Sequence, residues 1–98
     1  MNAMNAPKAF YLFAEEIVDN LKNVPFRELN SYEGREYTWK RGRREGSLSI
    51  TIEIISQDYK RVTIDGNLPG RIFRSQGYPF SRRFRAYENG VRVPEVQE

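Results

Sequence analysis

The side chains with the most obvious chemical capacity in this 98-residue chain are its arginines. Arg41, Arg43 and Arg44 fall within four consecutive positions, Arg71 and Arg74 stand three apart, and Arg82, Arg83 and Arg85 crowd into another four. A guanidinium presents a planar fork of N–H donors that matches phosphate or carboxylate. Residues 41–85 carry ten basic and four acidic side chains, a net of +6, whereas residues 1–40 net −1 and residues 86–98 net −2. The chain as a whole is +3, so its positive charge is a property of its middle. Arg41, Arg43, Arg44, Arg71, Arg74 and Arg83 are therefore the candidate ligands for phosphate or a nucleic-acid backbone. The competing reading makes them solvated loop and edge residues, with Arg83 and Arg85 paired to Glu53 or Glu36 across a wet sheet face.

Other chemistry is thin. There is no Cys and no His. That removes disulfides, thiolate metal sites, imidazole bases and every Ser–His or Cys–His nucleophile pair. Glu15, Glu16 and Asp19 stand on the polar side of a helical segment, where solvation explains them better than acid–base work. Gly66 and Gly70 flank Pro69 without matching a phosphate-binding glycine fingerprint. No catalytic residue, cofactor or metal site is assigned, and the chain reads as a non-enzyme.

The elements that must position the arginines follow from hydropathy. Leu48, Ile50, Ile52 and Ile54 alternate with Ser49, Thr51 and Glu53, and Val62 and Ile64 resume the pattern after a break. A period of two over this length means a sheet with one buried and one wet face. Before it, Phe10, Phe13, Ala14, Ile17, Leu21 and Val24 recur at helical spacing between Pro7, suited to a first helical turn, and Pro25, which ends the helix. Leu12, beside Tyr11, falls on the polar side of that helix and marks a candidate protein-contact corner. Phe26–Tyr32 is ambiguous. Strands are expected over 35–40, 47–56, 60–65 and 80–87, with Asn89-Gly90 either folding 91–93 back as a last strand or simply ending the domain. Residues 71–74 form a short strand or extended segment. Trp39 and Tyr37 face the core.

Keeping apolar residues on one face sets the expected register. Trp39 pairs with Leu48 and Tyr37 with Ile50 around a four-residue loop, Gly42–Glu45. Ile54 pairs with Val62 and Ile52 with Ile64 around an odd loop, Gln57-Asp58-Tyr59, because a two-residue loop would turn one apolar set into water. The fold class is α+β: one N-terminal amphipathic helix packed on one face of a four- to five-stranded antiparallel sheet. A single domain spans 1–98, with residues 1–6 and 94–98 expected outside its ordered part.

This arrangement brings Arg41, Arg43, Arg44 and Arg71 to one end of the sheet, with Arg74 close. Arg82 and Arg83 join them if the strand over 80–87 pairs directly with that over 60–65, the favoured arrangement. The functional expectation is a small protein-interaction domain, able to self-associate, using the helix at Tyr11 and Leu12, a sheet edge or the last strand. The alternative is a nucleic-acid-binding module using the arginine end. No apolar run is long enough to span a membrane, and a cytoplasmic setting is expected.

Overall fold

The computed structural model describes residues 5–70 and 77–96. Helix α1 (Ala6–Lys22) is followed by a 3-10 helix (Phe26–Tyr32) and five strands, β1 (Glu36–Arg41), β2 (Arg44–Ser56), β3 (Tyr59–Leu68), β4 (Tyr78–Tyr87) and β5 (Arg92–Glu95). The strands form one antiparallel sheet in the order β1-β2-β3-β4-β5, and α1 lies across the inner face of β1 to β4. β4 pairs directly with β3, as favoured. Arg71 and Arg74, with the segment 71–74, lie outside the described residues. Among the described residues no helix is long and apolar enough to cross a membrane.

α1 begins where Asn5 accepts a hydrogen bond from the Lys8 amide, an N-cap that satisfies one otherwise orphaned donor. Pro7 sits in the first turn and the helix ends at Lys22, three residues short of Pro25. Its buried stripe is Phe10, Ala14, Ile17, Val18 and Leu21; Val18 joins the expected set, while Phe13 and Val24 are only partly covered. Those residues meet Leu48, Ile50, Ile52, Val62, Ile64, Phe80, Phe84 and Ala86 from the sheet. Burying so much aliphatic and aromatic surface is the main favourable term for a chain of this size. The ambiguous segment Phe26–Tyr32 is the 3-10 helix, which buries Leu29 at the end of α1.

The faces match the alternation, but both expected registers are corrected. Tyr37 pairs with Leu48 and Trp39 with Gly46, a shift of two, and the β1–β2 loop is the two-residue turn Gly42-Arg43. Gly42 has φ +60°, the left-handed value that a type II′ turn requires at its first position. A shift of two leaves every side chain on its expected face, so alternation could not detect it.

In the β2–β3 hairpin Ile52 pairs with Val62 and Ile50 with Ile64, around the two-residue turn Gln57-Asp58. The parity that an odd loop would have restored is restored by a bulge between Ile54 and Ser56. Ile54 then lies opposite Lys60, beyond the cover of α1, and is 64% exposed instead of buried. Lys60 takes the buried place. Its Nζ donates to the Phe26 carbonyl at 2.6 Å and lies 4.1 Å from the Phe26 ring centre. Burial pushes its pKa below the usual lysine value.

β3 does not stop at Asp65. It runs to Leu68, because Gly66 lets β2 approach where a side chain could not stand, and Leu68 is fully buried. At the other edge β5 extends to Glu95, past the expected limit of order at residue 93, because Glu95 is held by side chains of β3 and β4. Arg92 fastens the start of β5: one guanidinium nitrogen donates to the Val24 carbonyl at 2.9 Å.

Candidate functional site

Strand alternation places Arg41 and Arg44 on the same face of the sheet as Trp39 and Leu48. That face is covered by α1 until the helix begins. Past its first turn the apolar rows end in this cross-strand arginine pair, with Arg43 exposed at the turn between them. Pro69 and Gly70 leave the end of β3 beside them, and Tyr78 opens β4. Together with Asn5, Ala6 and Pro7 these residues enclose an open cleft of about 1030 Å³.

Within the cleft, an Arg44 guanidinium nitrogen donates to the Pro69 carbonyl at 2.9 Å, and the group lies 5.8 Å from the Tyr78 ring centre. That contact holds the guanidinium beside an aromatic face and uses only part of its set of N–H donors. Glu45 is the one acidic residue on the described lining, and it stands on the opposite face of β2, directly across from Lys40.

Among the described residues, positive charge gathers at this end. A helix N-terminus carries a partial positive charge and is ordinarily complemented by Asp or Glu in its first turn. α1 has no acidic residue there. Its third residue is Lys8, and the side chains sharing the cleft with its first turn are arginines. A charge within the first turn of a helix is worth about 0.3–1 kcal/mol at low ionic strength, unfavourable there for a cation. An anion in the cleft would be attracted to each of these positive groups, offsetting their mutual repulsion.

The other candidates are dispersed. Arg83 is opposite Thr63, in the middle of the outer face, and its Nε donates to the Thr63 hydroxyl at 3.3 Å. Direct β3–β4 pairing therefore does not carry Arg83 to the arginine end. Arg82 points to the helix side, where it pairs with Glu15 at 2.8 Å and ties β4 to α1. Tyr11 is half-buried, with its hydroxyl donating to the Pro79 carbonyl, whereas Leu12 is 50% exposed. The last strand is also a poor edge for pairing: the Tyr87 amide donates to the Val91 carbonyl, so Arg92 and Pro94 face the open side, and Pro94 has no N–H to offer.

Two features were invisible in the order of residues. On the outer face, Glu95 accepts from Arg85 Nε at 2.9 Å and from Arg61 Nε at 3.0 Å, with Arg83 at 3.8 Å. Glu53, expected beside Arg83 or Arg85, makes a longer contact to Arg61 at 3.6 Å. At the far end of the sheet β2 outruns β1. The Glu33 carboxylate takes the Ile52 amide in place of a strand, and Ile54 and Ile55 beyond it are 64% and 46% exposed.

The Glu95 cluster has a measurable pH signature. The hydrogen bond from Arg85, reinforced by the Arg61 charge against the opposing effect of burial, holds the Glu95 carboxyl below the usual carboxylate range. A depressed folded pKa contributes stability above the unfolded value of about 4.3, and that contribution disappears as pH falls through the folded pKa. Wild type should therefore melt above Glu95→Gln at neutral pH, and the two melting curves should converge below about pH 4. A gap in Tm that stays constant down to pH 3 contradicts this.

The chain was compared with protein-family models, curated proteins and solved structures, and it matches none of them.

Proposed function

We propose that this protein is a non-enzymatic binding module that takes the phosphate groups of single-stranded nucleic acid in the cleft between the β1–β2 turn and the first turn of α1. One observation carries the reading: three arginines and an uncompensated helix N-terminus share an open cleft whose described lining holds one carboxylate, turned to the other face. Phosphate is favoured because guanidinium donors bind its oxygens in pairs and because a helix N-terminus stabilises an anion. A single strand is favoured because Tyr78, 38% exposed and beside Arg44, offers a ring on which a base can stack. The absence of His and Cys supports binding without catalysis.

The test is the double variant Arg43→Ala/Arg44→Ala with a fluorescein-labelled 12-nucleotide oligouridine, read by anisotropy. The wild type should bind with an affinity that falls steeply as salt rises, and the variant should lose roughly tenfold while its circular dichroism is unchanged. No anisotropy change for the wild type at low salt, or equal binding by the folded variant, overturns the reading.

The exposed end of β2 favours a second reading, a protein-interaction domain. An uncovered strand end carrying Ile54 and Ile55 is a template for a partner strand. A partner held there survives Arg43→Ala/Arg44→Ala and is lost with Ile54→Lys, which separates the two readings.

A further inference from the structure

The outer face of the sheet holds a second convergence of arginines, and it is already filled by the protein's own chain. Arg61, Arg83 and Arg85 project from neighbouring strands toward the carboxylate of Glu95, whose side chain is only 13% exposed, with Glu53 a longer contact of Arg61 at 3.6 Å. Three guanidiniums supply more donors than the Glu95 and Glu53 carboxylates and the Thr63 hydroxyl take up. Beside them Tyr59 and Tyr87 stack at 5.3 Å, with Arg85 5.9 Å from the Tyr59 ring centre. Arginines next to a pair of aromatic rings on an open sheet face are the elements that hold a single strand by charge and stacking.

The occupant is weakly built. β5 is four residues long, pairs with β4 alone and has Pro94 at its free side. Arg92 anchors its start to Val24, so Glu95 can leave while the beginning of the strand stays in place. Short edge segments of this kind open at far lower free energy than the core.

We infer that Glu95 is a built-in competitor: its carboxylate sits where a phosphodiester group of single-stranded nucleic acid binds, and release of the end of β5 opens a second binding surface on Arg61, Arg83 and Arg85. The inference rests on the ligand class proposed above, but not on the cleft at α1.

The same labelled oligouridine tests it in the 98-residue chain. Glu95→Gln should bind at least tenfold more tightly than wild type, and adding Arg85→Gln should cancel that gain. Glu95→Asp keeps the charge but shortens the reach, and should gain about threefold. Glu36→Gln makes the same charge change on the outer face of β1 and should alter affinity less than twofold. Equal affinities for Glu95→Gln and Glu36→Gln, or no gain in Glu95→Asp, overturn the inference. If Glu95→Gln fails to fold, Glu95→Asp carries the test alone. The outcomes separate the two sites. Wild-type binding that depends on Arg43 and Arg44 without a Glu95 effect removes this inference only. A Glu95→Gln gain with no contribution from Arg43 and Arg44 removes the cleft only.

Discussion

Gly66→Ala should be severely destabilising, lowering stability by about 3 kcal/mol or more and Tm by roughly 12–24 °C. A β-carbon at position 66 would lie 1.9 Å from the Ser47 carbonyl oxygen and 2.8 Å from the Leu48 α-carbon. Both atoms belong to the backbone of β2, so no rotamer change relieves the overlap. β2 cannot retreat, because β1 is paired to its other side at these same residues. Nor can β3, which carries Phe80 of β4 opposite Gly66. The loss falls on the ladder at the centre of the sheet, so thermal denaturation followed by far-ultraviolet circular dichroism reads it directly. A Tm within 3 °C of wild type would show that the strands yield where this packing says they cannot.

Phe10→Ala should cost about 3–5 kcal/mol, the range for removing a large aromatic side chain from a closed core. Phe10 is fully buried and meets the Trp39 ring edge-on at 5.9 Å. Its ring fills the space over Gly46, where a β-carbon would stand 2.6 Å from it. The hole left by alanine is lined by a residue with no side chain to lean in, so little collapse offsets it. Chemical denaturation should show a lower midpoint with an unchanged slope, and the emission of Trp39, the chain's one Trp, should shift to the red. Leu12→Ala, on the exposed side of the same helix, is the control and should change stability by less than about 0.5 kcal/mol. Comparable losses at the two positions would mean that α1 does not present Phe10 to the sheet.

These two substitutions rest on different kinds of legibility. Phe10 belongs to a stripe that can be read directly from the spacing of Phe10, Ala14, Ile17 and Leu21. Gly66 reads as a break in a strand, and only the close approach of β2 explains why a glycine stands inside one. The arginine end is partly legible in the same way. Arg41, Arg43 and Arg44 are joined by a single turn, so any hairpin there gathers them. Arg83 was misplaced because its distance from the turn depends on how far β4 runs, and β4 begins two residues before the expected start.

Side-chain alternation and helical spacing are local properties, and they were sufficient for the fold class and for the face on which the apolar residues of the first hairpins stand, while strand order rested on a choice between two pairings. They constrain register only to within steps of two. Gly42 in a two-residue turn, a bulge after Ile54 and the Glu33 carboxylate standing in for a strand settled the rest. Contacts between distant segments lay beyond that reach. Glu95 meets Arg61 across 34 positions of chain, and Arg44 meets Pro69 across 25. Such meetings depend on the free energy of pairing whole strands, to which no short window of residues has access.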